Sequence, residues 1–229
     1  MVTIDLRFPE IGGFEIISEF MLAVSQHYGE RTLYRGHGDR DWHPVASVYR
    51  DNAYGITKQD HLSRWKSVAQ RFVSPKPSDD VGYLALAQHY GVSTGLLDWT
   101  SNPLTALFFA CINSDKATGR VLQVSRKLFN ETEYTMMVEP FAESRPQPLL
   151  FDTSAMNVRS TAQDSFMSLH TQTEPEIETT AIFEVAHDDK FKVRAGLALL
   201  GLTPERVYVD LSVAADRFKE DLNLEWFLG

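Results

Sequence analysis

Residues 88–110 read QHYGVSTGLLDWTSNPLTALFFA, and this stretch decides the architecture on both sides of it. Gly91 is a natural end for a preceding helix, because glycine readily adopts the left-handed backbone that closes one. Ser101-Asn102-Pro103 predicts the start of a second helix, since proline fits the first turn of a helix. The residues that follow are apolar on nearly every side, which indicates a deeply buried helix. Asp98 is therefore expected beside the core.

On both sides of this stretch, the spacing of apolar residues predicts further helices and short strands. Helices are predicted at residues 14–24, 57–72, 79–90, 103–111, 189–200 and 214–222, and strands at residues 32–35, 119–124 and 180–185. Thr57 and Asp79 are suited to helix starts, and Gly201 to a helix end. Residues 36–39 and 130–148 are predicted to form loops. The predicted fold class is α+β, a single domain over residues 1–229 with a small central β-sheet flanked by helices.

Composition excludes several classes of protein. The chain has 229 residues, of which 43% are hydrophobic, and a net charge of −9. No run approaches the roughly 20 apolar residues of a membrane span, and the start lacks a secretory signal, so we expect a cytoplasmic protein. Duplex DNA is not an expected partner, because no cluster of lysines and arginines appears. No metal is expected, since no paired His or Cys motif occurs, and Cys111 is interpreted as a buried hydrophobe.

Arg35 is the first candidate for a ligand-binding residue. It lies at the end of a predicted strand and is followed by Gly36, which lets the backbone turn or a ligand approach closely. An arginine there can bind phosphate or carboxylate with two parallel hydrogen bonds. It can equally be a structural arginine paired with an acid such as Asp98. Position alone leaves both interpretations open.

Three residues around the central stretch have competing interpretations. His89 is a candidate base or ligand-orienting group, and its place in a last helical turn equally suits interaction with the helix dipole. Trp99 is a candidate stacking surface, but a tryptophan beside a buried helix is more often part of the core. For Asp98 we favour a structural role, capping the helix or holding Arg35. Its removal is then expected to cost on the order of 1–5 kcal/mol of stability.

Three segments resemble the FRG-domain family of bacterial and phage-borne proteins. Residues 34–50, which begin Tyr34-Arg35-Gly36-His37, look like the motif that gives the family its name. Residues 88–110 resemble its longest signature, and residues 194–211 its closing segment, so the motif region spans about residues 31–222. Two positions depart from the family: Gly95 stands where a basic residue is frequent, and Ser165 stands where a glycine is expected. Either departure bears on the ligand and on activity.

The order of elements also resembles that of ADP-ribosyltransferases. That resemblance implies NAD as a candidate cofactor and a catalytic set of Arg35, Thr94 and Gln163. Gln163 stands where those enzymes have a glutamate, and a glutamine cannot supply its negative charge. The remaining residues implied or interpreted as part of the site are ligand-binding Gly36, His37, Gln88, His89, Ser93 and Trp99, and structural Asp98, Thr100 and Arg159.

Three classes of function remain open from the sequence. One is an NAD-consuming ADP-ribosyltransferase or glycohydrolase related to toxins or defence. The second is a non-catalytic module that binds a nucleotide or another phosphate-bearing ligand. The third is a phage inhibitor that acts by contact with a protein target. The FRG resemblance implies a phage, prophage or mobile-element setting for each of them.

Overall fold

The computed structural model describes residues 11–27, 31–112, 116–132, 138–153, 156 and 158–228. Its eight helices are α1 Ile11–His27, α2 Gln59–Ala69, α3 Asp80–His89, α4 Pro103–Cys111, α5 Val158–Ala162, α6 Lys190–Leu199, α7 Pro204–Tyr208 and α8 Leu211–Leu228 within those residues. The strands of the same residues are β1 Thr32–His37, β2 Leu96–Thr100, β3 Gly119–Ser125, β4 Asn130–Glu131, β5 Leu149–Asp152, β6 Ser165–Leu169 and β7 Thr180–Val185. The α+β class predicted from the sequence is confirmed.

All seven strands belong to one sheet, in the order β4-β5-β6-β2-β1-β3-β7. β4 pairs with β5 in parallel, and every other neighbouring pair is antiparallel. The two central strands, β1 and β2, are separated along the chain by α2 and α3. Residues that are far apart in the sequence therefore meet at the middle of the sheet.

Helices cover one face of the sheet in two groups. α1, α4 and α6 pack together over β1, β3 and β7, with Phe20, Phe108 and Val121 among the buried residues. α2 and α3 cover the other half, where Leu62 and Leu84 pack with buried residues of β2, β5 and β6. A third apolar cluster is formed mainly by the alternate residues of the same strands, so it lies on the opposite face of the sheet. Its buried members are Leu33, Leu97, Trp99, Val124, Phe129, Leu150 and Phe166.

Side-chain caps define the two helix starts beside the central stretch. Asp79 accepts a hydrogen bond from Gly82 N–H (2.8 Å) at the start of α3. Asn102 accepts from Leu104 N–H (3.0 Å) at the start of α4, with Pro103 at its first position. Gly91 follows α3 with a φ of 79°, the left-handed conformation expected of it. These starts and this end agree with the sequence prediction.

Several element predictions were wrong. β1 continues to His37, where a loop was predicted from residue 36. Thr57 does not cap α2; the residue at that position is Lys58, and its side chain makes no capping bond. β2, β4, β5 and β6 were not predicted, and β4 lies at residues where a loop was predicted. β6 is buried along its whole length, so it lacks the alternation of polar and apolar residues that marks an ordinary strand.

Gly36 allows α4 to lie directly on β1. A Cβ atom built at Gly36 would be 1.9 Å from Ala106 O and 2.6 Å from Ala110 N, both of them backbone atoms of α4. Because backbone cannot rotate away as a side chain can, a methyl group there must push the helix off the strand. Glycine at this position is therefore required by packing inside the protein.

Gly36→Ala should lower the free energy of unfolding by about 3 kcal/mol, measured by urea denaturation, since overpacking of a close backbone contact costs that much. Gly91→Ala is the matched control. No atom lies within 4 Å of its Cβ position, so only the left-handed backbone, at roughly 1 kcal/mol, opposes it. Equal losses from the two substitutions would contradict the close contact.

Among the helices described, none has both the length and the apolar character needed to cross a membrane.

Candidate functional site

The two central strands of the sheet, β1 and β2, are paired at one position and are not paired beyond it; we call the unpaired part the β1–β2 split. β1 and β2 share one ladder pair, Tyr34 with Thr100, whereas β1 and β3 share six. Beyond that pair, the guanidinium of Arg35 reaches from β1 to β2 and donates from Nη1 to Asp98 O (2.5 Å). A side chain thus takes the place of the ladder hydrogen bond, and the β1–β2 split is held open beside it.

A cavity of about 180 Å³ lies at the β1–β2 split. We call it the Arg35 cavity. It is lined by Arg35, Ser47, Arg50, Gln88, Gly91, Val92, Ser93, Leu96, Leu97 and Asp98. Four residues that the sequence predicted for the site, Arg35, Gln88, Ser93 and Asp98, come together here.

Arg35 is oriented by His37. Arg35 Nε donates to His37 Nε2 (2.9 Å), and the other ring nitrogen, Nδ1, is 3.0 Å from Trp42 O. An arginine only donates and a carbonyl only accepts, so His37 carries its proton on Nδ1 and accepts on Nε2. Burial, reinforced by the charge of Arg35, lowers the pKa of His37 to about 3. His37 is therefore a neutral support for Arg35 at physiological pH, and it does not line the cavity.

The cavity holds two cationic side chains. Burial lowers the pKa of Arg35 to about 10, with Asp98 raising it and Arg50 lowering it further, so Arg35 stays charged at neutral pH. Partial burial also lowers the pKa of Arg50, and Asp98 opposes that effect. Arg50 Nε donates to Val45 O (3.0 Å), while its terminal nitrogens make no hydrogen bond within the part of the chain described. Those donors are available to a ligand.

Sequence reasoning assigned no role to Arg50, although it ends the same motif that begins at Tyr34. The sequence signal for it is a further arginine at the end of that motif, which has arginines at positions 35, 40 and 50. Its side chain reaches the cavity because a short 3₁₀ turn, Ser47–Tyr49, turns the chain back towards Thr94.

A relay of hydrogen bonds orients the carboxylate of Asp98. Leu96 N–H donates to Thr94 Oγ1 (3.2 Å), and Thr94 Oγ1 donates to Gln88 Oε1 (2.7 Å). Gln88 Nε2 then donates to Asp98 Oδ2 (2.6 Å). The direction is determined because the carboxylate of Asp98 only accepts: the amide NH2 of Gln88 must face Asp98, which leaves the amide oxygen to accept the hydroxyl proton of Thr94. Thr94 itself is fully buried and acts through Gln88.

The expected burial of Asp98 was wrong. Its side chain is exposed within β2, whose neighbouring residues Leu97 and Trp99 are buried on the opposite face. Asn102, not Asp98, caps α4. Asp98 does hold Arg35, as one interpretation expected, but through its backbone carbonyl and not its carboxylate. The carboxylate is presented to the Arg35 cavity.

Asp98→Asn should therefore change the free energy of unfolding by less than about 1 kcal/mol in chemical denaturation, because an exposed polar side chain is replaced by one of the same shape. Asparagine retains an oxygen that accepts from Gln88. A loss of 3 kcal/mol or more would restore the structural role that the sequence suggested.

His89 and Arg159 form a separate polar group next to the cavity. Arg159 Nη1 donates to His89 Nδ1 (3.3 Å), and the Arg159 guanidinium lies 4.9 Å from the ring centre of Tyr208. Partial burial, followed by the charge of Arg159, lowers the pKa of His89, while Asp210 and Asp98 oppose it. Neither His89 nor Arg159 lines the Arg35 cavity.

The structure does not bring Gln163 or Trp99 to the cavity. Gln163 Nε2 donates to Val207 O (3.0 Å), and Gln163 O accepts from Thr100 Oγ1 (2.6 Å). Gln163 therefore links α5 to α7. Trp99 is 2% exposed and donates from Nε1 to Ser168 Oγ (2.8 Å), so its ring faces cannot stack on a ligand. Trp99 therefore belongs to the core, in agreement with the second interpretation of this residue. Thr100 has a structural role, because its hydroxyl group binds the backbone of Gln163.

Gly36 is also unavailable to a ligand, because α4 occupies the space above it. In the described ranges, no three His, Cys, Asp or Glu side chains are grouped so as to hold a metal ion.

Comparison with known proteins gives a match to one family model, over part of the chain. A family model described as the FRG domain matches residues 30–119. No curated protein and no solved structure matches the chain. The matched span contains all ten residues that line the Arg35 cavity, and it leaves out Arg159 and Gln163. The cavity is therefore a feature of the matched segment itself.

Proposed function

Because residues 30–119 form an FRG domain that contains the whole cavity, we propose that the Arg35 cavity binds a phosphate-bearing ligand of the nucleotide type. The observation that carries this proposal is the pair of guanidinium groups at one small cavity. Arg35 and Arg50 lie close enough for the charge of Arg50 to lower the pKa of Arg35. A bound anion relieves that repulsion and accepts their remaining N–H groups.

NAD is the nucleotide we propose to test first, since the resemblance to ADP-ribosyltransferases implies it. Cleavage of NAD is a second candidate function, and the carboxylate of Asp98 favours it. Asp98 supplies at the cavity the negative charge that Gln163 lacks, and it lies beside the arginines that would bind the phosphates. In this candidate Asp98 takes the role that the resemblance assigned to residue 163.

The biological setting we propose is that of a phage, prophage or mobile-element protein acting in a bacterial cell, in a toxin or defence context. Action on a protein target by surface contact alone is the competing proposal. Duplex DNA is not a proposed partner, because the net charge of −9 opposes binding to the phosphate backbone.

A thermal-shift titration tests ligand binding, with NAD, ADP-ribose, AMP and inorganic pyrophosphate as probes. A ligand at 100 times its dissociation constant adds about 2.7 kcal/mol, which raises the melting temperature of a chain of this size by roughly 5–10 °C. The expected result is stabilisation by at least one probe. No stabilisation by any of them would leave the protein-contact proposal.

Nicotinamide release separates the two ligand-based candidates. Incubation of the protein with NAD, followed by chromatography, should yield nicotinamide only if the cavity is catalytic. Asp98→Asn should then abolish release while NAD still stabilises the protein. Stabilisation by NAD without release indicates the non-catalytic module.

A further inference from the structure

The carboxylate of Asp98 is the feature that anion binding leaves unexplained. A negative side chain on the wall of a phosphate cavity helps to keep Arg35 and Arg50 charged, but it repels the phosphate itself, because like charges repel. Yet Asp98 is held from two sides: Arg35 binds its backbone carbonyl, and Gln88 binds Oδ2 through the relay from Thr94. Such support keeps the carboxylate in one place, which suits recognition of a ligand group.

A carboxylate at this position requires a group on the ligand that donates hydrogen bonds to it. Gln88 occupies one position on Oδ2, and a carboxylate can accept about four hydrogen bonds in all. A cationic donor on the ligand would face the repulsion of Arg35 and Arg50. Neutral hydroxyl groups meet no such repulsion, so they are the donors that this mixture of charges favours.

The size of the cavity restricts the ligand further. At about 180 Å³, it is smaller than the roughly 300–1,000 Å³ of sites that enclose a drug-sized molecule. It can enclose one section of a nucleotide and not the whole of it. The section must contain a phosphate for the arginines and hydroxyl groups for Asp98.

We propose that the Arg35 cavity recognises a sugar phosphate with a vicinal diol, with Arg35 and Arg50 binding the phosphate and Asp98 accepting from the sugar hydroxyls. This rests on the proposed function, since it assumes that the two arginines bind phosphate. It goes beyond it by assigning discrimination between a ribose and a 2-deoxyribose ligand to Asp98. Gln88 and Thr94 are positioning residues for that carboxylate.

Isothermal titration calorimetry with three small probes tests the assignment: ribose 5-phosphate, 2-deoxyribose 5-phosphate and inorganic pyrophosphate. Ribose 5-phosphate should bind about 10-fold more tightly than its 2-deoxy form, the effect of one hydrogen bond to a charged group. Asp98→Ala should reduce this ratio to about 1 and leave pyrophosphate binding intact or stronger. Asp41→Asn, which removes a carboxylate from an exposed position outside the cavity, is the matched control and should leave the ratio unchanged.

The outcomes separate the two proposals. Equal binding of the two sugar phosphates, or a ratio that survives in Asp98→Ala, would overturn the diol assignment while phosphate binding stands. Binding of pyrophosphate without either sugar phosphate would overturn it as well. No binding by any of the three probes and by NAD would overturn the proposed function and this inference together. Thermal unfolding of Asp98→Ala, checked beforehand, shows whether a loss reflects binding or folding.

Discussion

Lowering the pH from 6.5 to 4.5 should cost the protein about 5 kcal/mol of unfolding free energy through two histidines alone. His37 and His170 are 3% and 0% exposed, and burial is the main cause that lowers their pKa values to about 3 and about 4. In the unfolded chain both have an ordinary pKa near 6.5. As the pH falls below 6.5, the two histidines bind protons in the unfolded chain but stay neutral in the folded protein. Their contribution to the free energy of unfolding is therefore complete above pH 6.5 and is lost below it. Each pH unit costs about 1.4 kcal/mol for each histidine until its folded pKa is reached.

Urea denaturation at pH 7.0, 5.5 and 4.5 measures this loss. The double variant His37→Gln, His170→Gln is the comparison, because it removes both titrating groups while keeping polar side chains at the two positions. Its stability should fall much less with pH than that of the parent. Parallel pH profiles for parent and variant would show that the buried histidines are not the cause. Carboxylates contribute equally to both proteins and cancel in the difference.

Replacing both cavity arginines should weaken binding of pyrophosphate or NAD by about 1,000-fold. Hydrogen bonds to charged groups contribute about 1.5–3 kcal/mol each, so Arg35→Ala and Arg50→Ala are each expected to cost between 10- and 100-fold. Arg35→Lys should recover only part of the loss, because an ammonium cannot hold Asp98 O and His37 with the planar fork that the guanidinium provides.

Arg71→Ala is the matched control for these variants, since Arg71 is an exposed arginine just after α2 and does not line the cavity. Calorimetric affinities for the double variant and the four single variants, each with a measured melting temperature, complete the test. Unchanged affinity in Arg35→Ala and Arg50→Ala, with the fold retained, would remove the basis for phosphate binding at this cavity.

Local sequence signals predicted six of the helices (α1, α2, α3, α4, α6 and α8) and three of the strands (β1, β3 and β7), whereas α5, α7 and the other strands were not predicted. Asp79, Asn102 and Gly91 each act within a few residues of their own position, so their effect could be inferred from the neighbouring sequence. The order of the sheet could not be inferred in this way. It depends on which strands meet, and β1 meets β2 across some sixty residues of intervening chain.

The site was also predicted only in part, because some of its residues meet through contacts between distant parts of the chain. Arg35 and Gln88 were recognised from their motifs, whereas Arg50 reaches the cavity through a turn that only the folded chain reveals. Asp98 was misjudged because its apolar neighbours suggested burial. In a strand those neighbours point to the other face, so the same pattern leaves Asp98 exposed. The role predicted for Gln163 rests on the order of elements along the chain, and that order does not determine which side of the sheet a residue reaches.

The β1–β2 split also has a consequence for amide hydrogen exchange. Backbone groups alternate between the two sides of a strand, so the Asp98 amide lies on the side facing β1, with the carbonyl that Arg35 binds. The amides of Leu97 and Trp99 face β6, where the ladder is continuous. Deuterium should therefore enter the Asp98 amide sooner than those two, although all three belong to one central strand. A ligand that bridges Arg35 and Asp98 should delay that entry, which turns a single amide into a reporter of occupancy.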